Sequence, residues 1–246
     1  MRATVDGLVL SGAYDACVGV WDCSRHPSRS LSCLLRGHKA PITSLALGQQ
    51  GEVVSGGRDG TAFIWDLQQQ SESRRLGGHG GHVTSCSWIR DSLFATGAQD
   101  GKVRVWDARS DAGGRPVHTV PAHVLPTGSG AVGDIAVTGA DMCAPIITAG
   151  ADARVQVLDP RNGFKPMHTL TTHKDFIYSL ALAGDVVLSG DGKGMLLAHD
   201  WKTGALCYGL GANSAAVRCI AVAAVAGGDA LVTSGDDGNV LVYDYR

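Results

Sequence analysis

A Trp-Asp dipeptide, intact or altered, recurs six times along this chain of 246 residues. The six copies are Trp21-Asp22, Trp65-Asp66, Trp106-Asp107, Leu158-Asp159, His199-Asp200 and Tyr243-Asp244. Their aspartates stand 44, 41, 52, 41 and 44 residues apart. A period of this length indicates one supersecondary unit repeated along the chain. Because a unit this short cannot bury its own apolar face, the copies must pack on one another. The repeat therefore predicts a repetitive architecture and argues against catalysis.

The clearest repeat, from Gly37 to Leu67, predicts three consecutive strands. Its predicted strands are Ile42–Leu47, Glu52–Gly56 and Thr61–Asp66, and those of the next repeat are Val83–Trp88, Ser92–Gly97 and Lys102–Asp107. These runs are rich in the β-branched and aromatic residues that suit a half-buried pleated surface. The dipeptide Asp59-Gly60 is a strong hairpin signal, because both central residues of a type I′ turn need a positive φ. The sequence therefore predicts an all-β fold.

The composition argues against several classes of function. The net charge is −2 and no block of Lys and Arg is present, so we expect no nucleic-acid partner. The longest apolar stretch, Cys219–Ala226, is too short to span a bilayer, and no secretory signal is visible, so we expect no membrane partner. Seven cysteines without a Cys-x-x-Cys motif predict reduced, mostly buried thiols in a cytoplasmic or nuclear protein. The histidines have no metal-ligand spacing, and no metal, cofactor or small-molecule substrate is expected.

The repeats resemble the WD-repeat family of β-propellers over nearly the whole chain. The resemblance implies one all-β propeller domain over residues 1–246 with six recognisable blades, each a four-stranded antiparallel sheet. The implied blades are approximately 1–36, 37–77, 78–121, 122–171, 172–210 and 211–246, and the implied outer strands are Leu31–Leu35, Ser73–Leu76, Pro116–Val120, Pro166–Leu170 and Ala205–Gly209. Since Met1 aligns with the middle of an inner strand and no outer strand follows the sixth blade, we expect an incomplete seven-bladed domain. The alternative is a six-bladed ring closed by side-chain packing.

The resemblance also implies a hydrogen-bonded tetrad of His, Ser or Thr, Asp and Trp within a blade. Blade two has His38, Ser55, Asp59 and Trp65, and blade three has His79, Thr96, Asp100 and Trp106, both at spacings of 17, 4 and 6. The other blades lose members: blade four has Leu158 in place of Trp, and in blade five Lys193 and His199 replace the acid and the Trp. We expect these groups to be buried and structural rather than catalytic triads, because a triad needs a nucleophile facing a cleft.

A resemblance at the ends of two blades suggests a partner. The segments Phe94–Arg109 and Ile146–Arg161 are similar to the sixteen-residue box of WD-repeat proteins that dock on the propeller adaptor of cullin-4 ubiquitin ligases. The residues implied for this docking, on neighbouring blades of the bottom face, are Asp107, Arg109, Asp159 and Arg161. Arginine is a favoured interface anchor. The alternative is that the pattern is the WD repeat itself, followed by a solvated arginine.

The opposite, top face carries the Gly-His loops and the Asp-Gly turns. Its outward-pointing candidates for partner binding are Tyr14, Lys39, Arg58, His82, Gln99 and Lys174. The longer loop Val124–Ala131 is either an insertion without a fixed task or part of a recognition surface. Most of these residues could equally be solvated loop side chains.

The expected function is a non-enzymatic protein-interaction scaffold. The expected specific role is substrate receptor of a cullin-RING ubiquitin ligase, with the bottom face on the cullin-4 ligase adaptor and the top face on a client protein. One alternative is the propeller module of a larger F-box, trafficking or cytoskeletal protein. A further alternative is an enzyme with a site in the central channel of the propeller.

Overall fold

The computed structural model describes residues 2–3, 7–48, 51–110, 114–125, 130–139, 144–225 and 228–245. Over these residues the chain forms six antiparallel sheets and two short 3-10 turns, Pro27–Arg29 and Pro160–Asn162. The prediction of an all-β fold built from repeated sheets is confirmed. Within the described ranges, no helix has the length and apolar character needed to cross a membrane.

The first compact unit, Met1–Pro121, contains three four-stranded sheets. The first sheet has β1 (Arg2–Ala3), β2 (Leu8–Gly12), β3 (Cys17–Asp22) and β4 (Leu31–Arg36). The second has β5 (Ile42–Leu47), β6 (Glu52–Gly57), β7 (Ala62–Asp66) and β8 (Ser71–Leu76). The third has β9 (Val83–Arg90), β10 (Leu93–Ala98), β11 (Val103–Asp107) and β12 (His118–Val120). Each strand pairs with its neighbours in chain order, which is the meander expected of a blade.

The second compact unit, Ala122–Arg246, contains the other three sheets. The fourth sheet has β13 (Val132–Val137), β14 (Ile146–Gly150), β15 (Val155–Asp159) and β16 (Lys165–Leu170). The fifth has β17 (Ile177–Ala183), β18 (Val186–Asp191), β19 (Met195–Asp200) and β20 (Leu206–Gly211). The sixth has β21 (Val217–Val225), β22 (Gly228–Gly235) and β23 (Val240–Tyr245), so the described part of this sheet has three strands rather than four.

Tight turns join the second and third strands of the sheets. Gly60 and Gly101 follow the turn aspartates and have φ angles of 70° and 72°, which glycine adopts at little cost. The expected type I′ turn centred on Asp59 and Gly60 is wrong, because the φ of Asp59 is not positive and the N–H of Gly60 donates to the carbonyl of Gly57 at 3.2 Å, which places Gly60 after the turn. In two other sheets alanine holds this place, as Ala16 with φ 62° and Ala153 with φ 59°. A left-handed conformation costs a residue with a Cβ about 1–2 kcal/mol. The surrounding sheets therefore impose the turn even where glycine is missing.

The core lies between successive sheets of a unit. Strands β6 and β7 are buried along almost their whole length, because other sheets cover both of their faces. Their apolar residues contact the third sheet on one side, and Gly56 allows this close approach. A Cβ added to Gly56 would lie 2.5 Å from Cγ1 of Val83. Sheet-on-sheet packing, rather than any single sheet, therefore buries the apolar residues of each repeat.

None of the cysteines that the structure describes takes part in a disulfide. Cys17 and Cys86 are buried and Cys33 is partly buried, but Cys23, Cys207 and Cys219 are exposed. The prediction of mostly buried thiols is therefore wrong for half of those described. The reason is local: Cys23 lies in a turn, and the other two lie on strands β20 and β21 with their side chains outward.

Candidate functional site

The second sheet contains a continuous hydrogen-bonded network around His38. Its Nε2 lies 2.7 Å from Oγ of Ser55, and its Nδ1 lies 3.1 Å from Oδ2 of Asp59. The indole Nε1 of Trp65 donates to the same Ser55 oxygen at 2.8 Å. Ser55 lies in β6 and Trp65 in β7. His38 lies in the loop before β5, and Asp59 lies in the turn between β6 and β7. The structure thus brings together all four residues of the expected tetrad.

Asp59 also braces the turn and the loop around it. Its carboxylate accepts hydrogen bonds from the backbone N–H of Lys39 at 2.8 Å and from the hydroxyl of Thr61 at 2.6 Å. Burial alone would raise the pKa of Asp59, but hydrogen bonds from Thr61, Lys39 and His38 outweigh it and lower the pKa below the ordinary value. Asp59 is therefore an ionised structural acceptor.

The third sheet departs from the expected tetrad at its acid. Nε2 of His79 lies 2.8 Å from Oγ1 of Thr96, which also accepts from Nε1 of Trp106 at 2.8 Å. However, Nδ1 of His79 lies 3.2 Å from the backbone oxygen of Gly60, while Asp100 pairs with the buried Arg104 at 2.7 Å. The expected His–Asp link is replaced because arginine, a stronger partner for a carboxylate, lies four residues after the aspartate.

The arginine also changes the charge state of the neighbouring histidine. Burial, followed by the positive charge of Arg104, lowers the pKa of His79 to about 4. His79 is therefore neutral at physiological pH. Since Nδ1 faces a carbonyl oxygen, it carries the proton, and Nε2 accepts from the Thr96 hydroxyl.

The fourth and fifth sheets keep the histidine and lose the tryptophan. His123 lies 2.8 Å from Asp152 and 2.9 Å from Thr148. His173 lies 2.8 Å from Ser189 and 3.0 Å from Asp191. The prediction that Lys193 replaces the acid of the fifth sheet is wrong, because Asp191 at the end of β18 reaches the histidine from two residues earlier.

His199, at the place of the tryptophan in the fifth sheet, does not reproduce its hydrogen bond. Its Nε2 lies 3.1 Å from Oγ1 of Thr172, and its Nδ1 is buried without a hydrogen-bond partner among the described residues. Only 1% of the residue is exposed. Burial, and then the nearby His173, lower the pKa of His199.

These hydroxyls and histidines are used within the sheets rather than at a cleft. Ser55, Thr96, Thr148 and Ser189 are completely buried, and each bonds a histidine of its own sheet. A nucleophile must reach a substrate, and these oxygens do not reach the surface. No group of three or more His, Cys, Asp or Glu side chains suited to a metal ion occurs in the part of the chain that the structure describes. The arrangement therefore supplies stability and not nucleophilic chemistry.

The aspartates that end the third strands stabilise the turns that follow them. Asp107 accepts a hydrogen bond from the backbone N–H of Arg109 at 2.9 Å, and Asp159 accepts one from that of Arg161 at 2.9 Å. Asp66 binds the backbone of two turn residues in the same way. The first two aspartates, which belong to the predicted docking set, thus hold the backbone of the arginines that follow them.

The two arginines of the predicted docking set are both exposed. Arg109, in the first unit, has an exposed side chain. Arg161, in the second unit, keeps 61% of its side chain exposed while its Nε lies 3.1 Å from Oδ1 of Asp159. Hydrogen bonds from Arg161 lower the pKa of Asp159. Both guanidinium groups are accessible to a partner.

On the loop surface of the first unit, the structure brings Tyr14 and Arg58 together. The Cζ atom of Arg58 lies 5.5 Å from the ring centroid of Tyr14, which is 79% exposed. This is a cation–π contact between the first and second sheets. The backbone N–H of Arg58 donates to the carbonyl of Pro41 at 2.9 Å, which fixes the residue's place beside the next loop.

The other predicted top-face residues are less closely joined. The backbone N–H of Gln99 donates to the carbonyl of His82 at 2.8 Å, in the same way as Arg58 to its loop. Lys39 is exposed in the first unit and Lys174 in the second. The centre of the loop Val124–Ala131, residues 126–129, lies outside the described residues.

The second unit carries a cluster that sequence reasoning missed. The guanidinium of Arg218 makes three contacts of 2.6–2.9 Å with Asp236 and stacks on Tyr178, its Cζ lying 4.1 Å from the ring centroid. A hydrogen bond from Arg218 lowers the pKa of Asp236. Both Tyr178 and Arg218 occupy a one-residue bulge at the start of the first strand of their sheets, and a bulge re-aims its side chain. Only the strand pairing at these bulges could have identified Tyr178 and Arg218 as neighbours.

Comparison with known proteins identifies two of the repeats. Residues 29–66 and 70–107 match the family model described as WD domain, G-beta repeat. The small ribosomal subunit protein RACK1y of Oryza sativa subsp. japonica is 34% identical over 62 residues, which are 25% of this chain and 18% of that protein. Transducin beta-like protein 3 is 33% identical over 70 residues in Rattus norvegicus and in Mus musculus, which are 28% of this chain and 8% of either protein. The aligned part of the chain thus spans less than a fifth of these relatives.

The matched segments cover the last strand of the first sheet and most of the second and third sheets. Residues 29–66 run from the end of the first sheet through Trp65-Asp66, and 70–107 end at Trp106-Asp107. The four remaining sheets have the same strand order, as far as they are described. Residues 29–66 and 70–107 therefore match WD repeats, and the six antiparallel sheets are consistent with the blades of a β-propeller.

Proposed function

We propose that this chain is a non-enzymatic scaffold for protein–protein interaction. WD-repeat proteins generally act as interaction scaffolds. The observation that supports this role is that the buried polar residues and the exposed ones serve different purposes. Ser55, Thr96, Thr148 and Ser189 are buried and hydrogen-bonded to histidines of their own sheets, whereas aromatic and cationic side chains such as those of Tyr14 and Arg58 are exposed on loops. Exposed loops on a rigid framework are the usual place for recognition.

We propose Tyr14 and Arg58 as the anchors of a partner on the first unit, with Lys39, His82 and Gln99 around them. Tyrosine and arginine are enriched at energetically important interface positions because they combine large contact area with directed hydrogen bonds. The cation–π contact preorganises the pair, which lowers the entropy lost on binding. On the second unit, Lys174 is the sequence-predicted candidate.

The scaffold role is tested by affinity capture with a double variant, Tyr14→Ala with Arg58→Ala. Both side chains are exposed, so we expect unchanged thermal stability and loss of the proteins that the parent chain captures. Gln69→Ala, in an exposed turn after β7, is the matched control and should capture the same proteins as the parent. An unchanged set of captured proteins with the double variant would contradict the assignment of these anchors.

A more specific role, which we also propose, is substrate receptor of a cullin-RING ubiquitin ligase. Its support is the accessibility of Arg109 and Arg161, each following an aspartate that braces its turn. In this role Asp107 and Asp159 would position the arginines against the cullin-4 ligase adaptor, and the loop surface would hold the client protein. The predicted location of such a protein is the cytoplasm or the nucleus.

The ligase role is tested by pull-down of the adaptor with Arg109→Ala combined with Arg161→Ala. We expect loss of adaptor binding with no change in folding, since both side chains are solvent-exposed. Arg25→Ala is the matched control, because Arg25 follows Asp22 in the first sheet, pairs with it at 2.8 Å and is similarly exposed. Undiminished binding by the double variant would refute the ligase role and leave the scaffold role standing.

We also propose that the six sheets belong to one propeller domain over residues 1–246. The support is the nearly constant period of the Trp-Asp positions, which implies equivalent neighbours throughout. One cooperative thermal unfolding transition is the expected result. Two well-separated transitions would favour independent folding of Met1–Pro121 and Ala122–Arg246.

A further inference from the structure

Three planar side chains are stacked on the second unit. The ring of Phe176 contacts the ring of Tyr178 at a centroid distance of 4.2 Å, and Cζ of Arg218 lies 4.1 Å from the Tyr178 centroid on the other side of the contact. Asp236 holds one edge of the guanidinium, through Nε and Nη2 at 2.6–2.9 Å. All four residues lie within Ala122–Arg246, so the group is complete in one compact unit. We call Phe176, Tyr178, Arg218 and Asp236 the stacked cluster.

The fold does not require large side chains at the positions of Tyr178 and Arg218. In five of the six sheets, the described part of the first strand has a one-residue bulge near its start. The residues at these bulges are Thr43, Thr84, Gly133, Tyr178 and Arg218. The two threonines donate their hydroxyls to nearby backbone carbonyls, those of Gly56 at 2.9 Å and Gly97 at 3.1 Å, and the glycine has no side chain. Sheet geometry therefore does not explain why the fifth and sixth sheets have tyrosine and arginine at this place.

The guanidinium of Arg218 is fixed in orientation but only partly covered. Tyr178 lies against one of its faces, and Asp236 occupies the edge formed by Nε and Nη2. Even so, 47% of the Arg218 side chain is exposed. Within the described ranges, no ring other than that of Tyr178 and no carboxylate other than that of Asp236 contacts it. The face opposite Tyr178 is therefore available to a partner.

An aromatic ring is the group that best fits this uncovered face. A guanidinium is weakly hydrated and stacks on aromatic rings, and tryptophan is the strongest partner in such cation–π contacts. An anionic group would gain less, because Asp236 already pairs with the charge. Tyr178 and Asp236 also preorganise the guanidinium, which lowers the entropy lost on binding.

We propose that the stacked cluster binds a tryptophan side chain of a protein partner, with the indole ring on the uncovered face of Arg218. The indole would extend the existing stack of Phe176, Tyr178 and Arg218 by one more planar group. This proposal rests on the scaffold role and deepens it, because it names the chemistry of a partner for the second unit.

A nucleobase could stack in the same way, but the charges nearby oppose a nucleic acid. Asp237 follows Asp236 in the same turn, and hydrogen bonds from the backbone of Ser214 and Asn239 lower its pKa, so it is ionised. A phosphate backbone next to the stack would therefore lie close to carboxylates. The chain also has a net charge of −2 and no block of Lys and Arg to neutralise phosphates. A protein partner is favoured for these reasons.

The test is a titration of the full chain against a short glycine-flanked peptide that contains one fluorinated tryptophan. Fluorine NMR then observes only the peptide, although the chain has tryptophans of its own. We expect saturable binding, and Arg218→Ala should raise the Kd about two- to fivefold, which is the range of an exposed cation–π contact. Excess unlabelled peptide should displace the probe, whereas the same peptide with leucine in place of tryptophan should not.

The matched control is Arg25→Ala, at an exposed arginine that pairs with Asp22 at 2.8 Å in the first sheet; it should bind the peptide like the parent. Melting curves confirm the fold of each variant. If Arg218→Ala does not fold, Arg218→Gln takes its place, since it keeps a planar end and removes the charge. We expect the same rise in Kd for this variant.

Several results would overturn the proposal. One is an unchanged Kd in Arg218→Ala, and another is binding that is lost in Arg58→Ala instead, because it would place the peptide on the first unit. Tighter binding of a short single-stranded DNA than of the peptide, lost in Arg218→Ala, would assign the cluster to nucleic acid. Absence of peptide binding would overturn this proposal alone, since affinity capture with the Tyr14 and Arg58 double variant decides the scaffold role separately.

Discussion

The ion pair between Asp100 and Arg104 leads to a prediction that separates the third sheet from the second. In Asp100→Ala, the guanidinium of Arg104, whose side chain is only 7% exposed, loses both of its hydrogen bonds to the carboxylate, at 2.7 and 3.2 Å. The backbone N–H of Gly80, the carboxylate's neighbour at 3.0 Å, is exposed and can bond water instead. The cost is therefore dominated by a buried charge left without a counter-charge.

The magnitude follows from that burial. Breaking a buried ion pair by removing one partner costs about 3–5 kcal/mol, and most of it arises from the uncompensated charge. If the uncompensated charge causes the loss, removing that charge as well should restore stability. We expect Asp100→Ala with Arg104→Met to recover more than half of the loss, because an apolar side chain of similar length suits a site that is already dry. In the second sheet, where Asp59 faces a histidine rather than a buried arginine, Asp59→Ala should cost less, about 1–3 kcal/mol.

The assay is urea unfolding followed by tryptophan fluorescence, since Trp106 lies buried in the same sheet. The four proteins of the cycle are the parent, Asp100→Ala, Arg104→Met and the double variant, and their coupling energy isolates the pair. A loss below about 1 kcal/mol for Asp100→Ala would refute the reasoning, because that is the range of exposed ion pairs. A double variant no more stable than Asp100→Ala would refute it equally.

Three further predictions concern stability. Ser55→Ala should destabilise the protein more than Thr148→Val. The first change leaves two buried nitrogens, of His38 and Trp65, without a hydrogen-bond partner, at about 1–3 kcal/mol each, whereas the second affects only the nitrogen of His123. Chemical denaturation of both variants measures the difference. Gly56→Ala should cost about 1–3 kcal/mol by overpacking the neighbouring sheet, while Gly77→Ala, with open space around it, should be nearly neutral in the same assay. His199→Leu, which introduces the residue that the fourth sheet has at this place, should reduce acid sensitivity. Because the folded pKa of His199 is lowered, the parent loses stability as the pH falls below about 6.5, where the unfolded chain takes up the proton first. Equal pH dependence of the two urea midpoints would contradict this.

The strands of the second and third sheets could be predicted closely from the sequence. The predicted strand Ile42–Leu47 is found with the same bounds, and the predicted Glu52–Gly56 ends one residue later, at Gly57. Periodic apolar runs bounded by Asp-Gly turns are local signals, and the glycine at the turn position fixes the hairpin. Where alanine stands at that position, as with Ala153, the turn persists through long-range packing that a local pattern does not reveal.

The side-chain partners were less predictable, because they depend on competition between groups. The spacing of His79 and Asp100 matches that of His38 and Asp59, yet Asp100 pairs with Arg104 instead of the histidine. In the fifth sheet the shift of the acid from position 193 to Asp191 changes the spacing but keeps the contact with His173. Exact spacing is thus neither sufficient nor necessary for the hydrogen bond.

The sequence could predict which surface residues are exposed, but not which of them contact each other. The exposure of Tyr14 and Arg58 could be predicted because each precedes a turn aspartate. Their contact with each other depends on the packing of two sheets. The pair Tyr178 and Arg218 was missed because it lies at strand bulges, which shift the register by one residue and leave no mark in a single sequence. Bulges become visible only when the paired strands are seen together.

The most direct test of the central claim, that the recurring polar residues are buried structural groups, is hydrogen exchange at the tryptophan indoles by NMR. We expect strong protection of the Nε1 protons of Trp65 and Trp106, which donate to buried Ser55 and Thr96, and faster exchange at Trp201, whose Nε1 lies 3.4 Å from its acceptor in an exposed contact. Rapid exchange at both Trp65 and Trp106 in the folded protein would contradict the claim.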